Sequence, residues 1–152
     1  MSTTFNPQDG SIILTTSETK LPEILSLDLT NTPDIAQTIA VTCFGLGISC
    51  DLTGLHTLKI KETDRLVALK TELEKLGASV VINQDGISVR SSGEIKDSVE
   101  IETYNDHRMA MAFAPLAVKT DICIDDCEVV SKSYPGYFED LVKMGLTVEF
   151  KR

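Results

Sequence analysis

Leu27-Asp28-Leu29-Thr30-Asn31-Thr32-Pro33-Asp34 decides the fold, because its pattern returns 72 residues later as Val99-Glu100-Ile101-Glu102-Thr103-Tyr104-Asn105-Asp106. Each stretch reads as an alternating strand that ends in a polar turn and an aspartate. A helical apolar stripe follows in both copies, Ile35 to Leu46 and Met109 to Val118, and then a short apolar strand, Ile48 to Leu52 and Asp121 to Ile124. The match resumes at an offset of 68, where Leu73-Glu74-Lys75-Leu76-Gly77-Ala78-Ser79-Val80 lines up with Leu141-Val142-Lys143-Met144-Gly145-Leu146-Thr147-Val148. Both read as an amphipathic helix closed by glycine and followed by a strand. The four-residue slip falls in the loop before that helix.

The unit is therefore strand, helix, strand, helix, strand. The first copy adds a further strand, Ile87 to Arg90, after the turn Gln84-Asp85-Gly86. Near the start, Asp9-Gly10 precedes Ser11 to Thr15 in the same way. The expected class is α/β, built from repeated βαβαββ units. Residues 1–20 read as the tail strand of a preceding repeat, 21–92 as one full unit and 93–152 as a final βαβαβ unit. A chain that opens inside a repeat is expected to be a piece of something longer.

The chain has 152 residues, 42% apolar and 24% charged, which fits a globular α/β body and excludes a disordered tail, a collagen-like repeat and a coiled coil. Aromatics are 5% and Trp is absent, so Leu, Ile, Val and Ala must build the core. The formal charge of −9 argues against general binding of nucleic acid or of an anionic membrane, both of which need a basic surface. No apolar run reaches the ~18–20 residues of a membrane span, and no signal-peptide pattern opens the chain. Cys43, Cys50, Cys123 and Cys127 lack zinc-ligand spacing and read as reduced structural thiols, with a cytoplasmic location expected.

Most charged residues look like solvated helix faces; Lys70, Glu72 and Lys75 surround the apolar stripe Leu66, Leu69, Leu73, Leu76 in that way. Three short segments differ. Lys59-Ile60-Lys61-Glu62-Thr63-Asp64-Arg65 lies between a strand and a helix, with Glu62 or Thr63 near the helix start. Asn105-Asp106-His107-Arg108-Met109 opens another helix, with Asn105 or Asp106 as its cap. Val130-Ser131-Lys132-Ser133-Tyr134-Pro135 holds the one cation between Lys119 and Lys143, and Pro135 suits a first helical turn. Taken singly, each also fits an ordinary charged surface turn.

The repeat gathers them. The Arg65 and Lys132 loops are equivalent, each before the second helix of its copy. Asp34 and the His107-Arg108 pair are equivalent, each before the first helix. If the copies pack side by side, Lys61, Arg65, Arg108 and Lys132 form a cationic pocket with Asp34 and Glu62 beside it. That combination suits a phosphorylated or carboxylated small substrate and acid–base chemistry.

Ile60-Lys61-Glu62-Thr63-Asp64-Arg65-Leu66, Tyr104-Asn105-Asp106-His107-Arg108-Met109-Ala110-Met111, Ser131-Lys132-Ser133-Tyr134-Pro135-Gly136-Tyr137-Phe138 and Pro33-Asp34-Ile35-Ala36 together resemble the EPSP synthase family, in its order and spacing. The resemblance runs from about Leu14 to Phe150. It implies an enolpyruvyl transferase fold, the inside-out α/β barrel with two domains of three βαβαββ units and an active site between them. The chain then resembles the last part of the C-terminal domain.

The implied reaction moves the enolpyruvyl group of phosphoenolpyruvate to the 5-hydroxyl of shikimate 3-phosphate, through a tetrahedral intermediate and with loss of phosphate. No metal or organic cofactor is implied. By the same resemblance Asp34 holds the shikimate hydroxyls and acts as base, Glu62 exchanges a proton with the phosphoenolpyruvate methylene, and Lys61 contacts the shikimate ring. Arg65, Arg108 and Lys132 bind the phosphoenolpyruvate carboxylate and phosphate, and His107 hydrogen-bonds within the set. Glyphosate is expected to compete there.

Thr57 stands where the family often has Asn. The family's N-terminal-domain motifs are not in this sequence, so the isolated chain is expected to be inactive and to bind substrates weakly if at all. Two other functions fit the same residues: an enolpyruvyl transferase for a nucleotide sugar, and a non-catalytic anion-binding or interaction domain.

Overall fold

A computed structural model describes residues 2–15, 20–60, 64–91 and 93–150. Its first element is an antiparallel hairpin, β1 (Ser2–Asn6) and β2 (Ser11–Thr15), turned at Gly10 with a φ of 71°. Phe5, Ile12, Ile13 and Leu14 are exposed on it.

The first repeat forms a four-stranded sheet from β3 (Ile24–Asp28), β4 (Ser49–Thr53), β5 (Ser79–Ile82) and β6 (Ile87–Arg90), in the order β3-β4-β6-β5. β3 and β4 are parallel; β6 runs antiparallel to both β4 and β5. A 3-10 turn at Pro33–Ile35 leads into α1 (Ala36–Gly45), which links β3 to β4. A 3-10 turn at His56–Ile60 precedes α2 (Arg65–Lys75), which links β4 to β5. α1 buries Ala36, Gln37, Ala40, Val41, Cys43 and Phe44, and α2 buries Leu66, Ala68, Leu69, Glu72 and Leu73. These helical-period faces meet Leu52, Leu55, Val80, Ile87 and Val89 in one core.

The second repeat follows the same course. β7 (Val99–Ile101) and β8 (Ile122–Ile124) pair in parallel, as β3 and β4 do. Between them lie α3 (His107–Phe113) and a 3-10 turn at Ala114–Val118. α4 (Tyr137–Lys143) comes after a 3-10 turn at Cys127–Lys132. The stripe predicted as one helix to Val118 changes character at Pro115. Proline has no N–H to give the carbonyl four residues back. That carbonyl, on Met111, accepts instead from the Tyr137 hydroxyl at 2.9 Å, which binds α4 to α3. Tyr137 and Leu141 pack with Ala110, Ala114 and Val130 in a second, smaller core.

The glycine closures match in detail. Ala78 N–H bonds Leu73 O and Gly77 N–H bonds Glu74 O; Leu146 N–H bonds Leu141 O and Gly145 N–H bonds Val142 O. Gly77 and Gly145 have φ of 107° and 102°, which a left-handed helix stop requires.

Three expectations need correction. Residues 146–150 form no strand. In the first repeat β5 is held through β6, which also pairs with β4; 146–150 has no such strand beside it among the described residues. Glu72 is not on a solvated face but fully buried. Pro135 lies before α4 rather than in its first turn, since Gly136 caps that helix. Among the described residues no helix is long and apolar enough to cross a membrane.

Candidate functional site

Arg65 is the first residue of α2. Asp64 caps that helix by accepting from Leu66 N–H and Val67 N–H at 3.1 and 3.2 Å. Thr63 and Glu62, read as near the helix start, thus stand one and two residues before the cap in sequence. It leaves the Arg65 side chain at the helix mouth and almost fully buried, 3% exposed. Its Nε donates to Asp106 Oδ2 at 2.6 Å and its Nη1 to Asp34 Oδ1 at 2.9 Å. Asp34 and Asp106 are equivalent positions of the two repeats, so one guanidinium bridges the same place in both copies.

Asp106 serves two masters. Its Oδ1 caps α3 by accepting from Arg108 N–H at 2.9 Å, and its Oδ2 takes Arg65 and, more loosely, Gln37 Nε2 at 3.5 Å. Its side chain is wholly buried. Two charges taken out of water each lose several kcal/mol of hydration, and only close geometry with further hydrogen bonds offsets that. Here a 2.6 Å charge-assisted contact and the capped N–H supply both.

Asp34 is the wet side of the cluster, with its side chain 42% exposed. Arg108 reaches it as well: Nη1 donates to Asp34 O at 3.1 Å, and Nη2 lies 3.6 Å from Asp34 Oδ2. Lys132 stands at the end of the Cys127–Lys132 turn, exposed, and donates from Nζ to Asn105 Oδ1 at 3.1 Å. His107 Nδ1 lies 3.9 Å from Asp106 Oδ1, beyond hydrogen-bond reach.

Side-by-side packing thus brings Asp34, Arg65 and Arg108 into one network, with Lys132 attached through the neighbour of Asp106. Lys61 and Glu62 lie outside the described residues. The network is more neutralised than a bare cationic pocket, because Asp34 and Asp106 occupy guanidinium donors. Asp106 was legible only as a helix cap; the sequence signal for more is its place, equivalent to Asp34 and directly before His107-Arg108. Gln37, buried and with its Oε1 lacking a hydrogen-bond partner among the described residues, carried no signal beyond a helical apolar face.

Among the described residues Arg108 is half-buried and Lys132 exposed, which leaves both open to a carboxylate or phosphate. Such an anion reaches Arg65 by competing with the Asp34 carboxylate, the more solvated of the two partners. A planar guanidinium suits such anions because its parallel N–H groups match their oxygens. No group of three or more His, Cys, Asp or Glu side chains among the described residues is gathered for a metal ion.

The EPSP synthase (3-phosphoshikimate 1-carboxyvinyltransferase) family model matches residues 1–141. A protein of Bacteroides fragilis named 3-phosphoshikimate 1-carboxyvinyltransferase is 48% identical over 130 residues, 84% of this chain and 32% of that protein. One of the same name from Salmonella paratyphi B is 39% identical over 121 residues, 79% of this chain and 28% of its own length. The EPSP synthase structure from Acinetobacter baumannii superposes with a TM-score of 0.69 at 29% identity, covering 76% of this chain and 28% of that one. The chain spans about a third of the length of the curated relatives it matches.

Proposed function

The chain belongs to the EPSP synthase family, and on that premise we propose that it is part of an enzyme that transfers the enolpyruvyl group of phosphoenolpyruvate to the 5-hydroxyl of shikimate 3-phosphate. The observation that carries the reading is Arg65, bonded at 2.9 Å to Asp34 and at 2.6 Å to Asp106, with Arg108 on the same Asp34. Arg65, Arg108 and Lys132 take the carboxylate and phosphate of phosphoenolpyruvate. Asp34 accepts the proton of the 5-hydroxyl as that oxygen attacks the enol carbon. The methylene gains a proton, forming a methyl group in the tetrahedral intermediate. Loss of a methyl proton and of phosphate from that intermediate re-forms the carbon–carbon double bond, now as the enol ether of the product. Glu62 is the proton carrier and Lys61 the shikimate-ring contact by family resemblance alone. His107 orients rather than exchanges protons. The enzyme works in the cytoplasm, and the isolated chain is inactive because the other part of the ligand shell lies in the portion of its relatives that it does not match.

The test is phosphate release from the two substrates, by the isolated chain and by its fusion to the unmatched portion of the Bacteroides fragilis relative. The fusion should release phosphate only with both substrates present, and Asp34→Asn or Arg65→Gln should abolish it. A folded fusion without activity refutes the assignment. Release by the isolated chain above a Glu62→Gln control refutes its inactivity.

A further inference from the structure

The loop before α3 is fastened to α2 at two points. One is the Arg65–Asp106 bond at the head of the helix. The other is Glu72, seven residues further along, on the same face and about 10 Å up the axis at 1.5 Å per residue. Glu72 is fully buried. Its Oε1 accepts from the Tyr104 hydroxyl at 2.8 Å. Its Oε2 accepts from Lys75 Nζ at 2.7 Å and from Glu102 N–H at 3.2 Å. Lys75 supplies the counter-charge and also donates to Glu100 O at 3.2 Å, which ties the arrangement to β7.

What this second fastening holds is unusual backbone. Tyr104 and Asn105 have φ of 54° and 56°, a left-handed corner made of two consecutive non-glycine residues. Such a corner persists only where its surroundings hold it. It closes through Asp106 N–H to Thr103 O at 2.9 Å. Immediately after it come Asp106, which fixes Arg65, and Arg108. Within it is Asn105, which fixes Lys132.

We propose that Glu72 is a positioning residue for the anion cluster: by gripping the Tyr104 hydroxyl and the Glu102 N–H it fixes the Tyr104–Asn105 corner, and through it the poses of Arg65, Arg108 and Lys132, without touching the ligand. The inference rests on the reading of that cluster as a phosphoenolpyruvate site. Burial, and then the Glu72 carboxylate itself, push the Tyr104 phenol up to about 12, so the hydroxyl that Glu72 grips keeps its proton well into the alkaline range.

The test uses the 152-residue chain, with Tyr104→Phe, which removes one hydroxyl, and Glu72→Gln, which removes the charge. The first readout is the Arg65 Nε–Hε proton by NMR without ligand, slow to exchange in the parent. Both variants should speed its exchange at least about tenfold and move the Arg108 amide, which bonds Asp106, while β4 and β6 amides stay put. An unchanged Arg65 proton in a folded variant overturns the proposal. So does disturbance spread evenly through the sheet, or loss of fold in both variants, since Glu72 then acts on stability alone.

The second readout is titration with millimolar phosphoenolpyruvate. Binding by the parent should weaken about tenfold in Tyr104→Phe. Equal binding overturns the proposal. No response at Arg108 or Lys132 from a parent with a protected Arg65 proton, in the isolated chain and in its fusion to the unmatched portion alike, refutes the anion-site reading itself.

Discussion

Replacing Asp106 by Asn isolates the buried charge at the centre of the cluster. The amide oxygen can still accept from Arg108 N–H, so the helix cap, worth about 1 kcal/mol, is kept. What is lost is the carboxylate facing Arg65 Nε at 2.6 Å, in a pair with side-chain exposures of 0% and 3%. Removing one partner of a buried ion pair costs about 3–5 kcal/mol, because the other charge is left uncompensated. Arg65 keeps Asp34, but that carboxylate is 42% exposed and such a contact is worth at most about 1 kcal/mol. The expected loss is therefore about 3 kcal/mol, more than a hundredfold in the folded-to-unfolded ratio. With a urea slope of about 2 kcal/mol/M, the unfolding midpoint falls by about 1.5 M. Far-UV circular dichroism is the readout, since the chain has no Trp. Asp34→Asn is the comparison and should move the midpoint by less than about 0.5 M. Equal shifts in the two variants, or a shift for Asp106→Asn below about 0.3 M at an unchanged slope, refute the assignment of the buried charge.

Gly86→Ala should lower stability by at least about 2 kcal/mol, because a Cβ there meets the Leu52 carbonyl of β4, which is backbone and cannot swing aside; a thermal melt checks it. A thiol reagent should label Cys123 and Cys127 in the folded chain and reach buried Cys43 and Cys50 only on unfolding; the Cys43 contact and burial hold the Cys50 thiol far above its ordinary range. Bonds from Ser88 and then Arg90 hold the Asp51 carboxyl below its ordinary value. A folded-state pKa below the unfolded one gives stability that is present at neutral pH and is lost as pH falls below about 4. Asp51→Asn should thus flatten the acid limb of urea midpoints measured from neutral pH downward, and an unaltered limb contradicts it.

The repeat was legible because it is written in local signals. Leu27–Asp34 and Val99–Asp106 carry the strand period, and Gly77 and Gly145 mark helix ends at matching places. The closing strand of the second copy was read from the same signals and is not there. Strand pattern at 146–150 is a local property, whereas a strand also needs a neighbour to take its N–H and C=O groups. Glu72 shows the opposite error. Its spacing from Lys75 fits a surface pair, yet the loop that covers it comes from Glu102 and Tyr104, 30 and 32 residues away.

The sequence by itself determined the α/β class, the order of strands and helices from β2 through α4, and the three charged segments at helix starts; β1, which pairs with β2, carried no signal that was read. Each depends on side chains within a few turns of one another. Only the tertiary structure decided which charges meet: Arg65 with Asp34 across 31 residues, Arg65 with Asp106 across 41, and Arg108 with Asp34 O across 74. It also decided which of these pairs is dry and which is wet. That difference sets their energies, because a charge is expensive to bury only where packing has removed the water, and packing is a property of the assembled repeats.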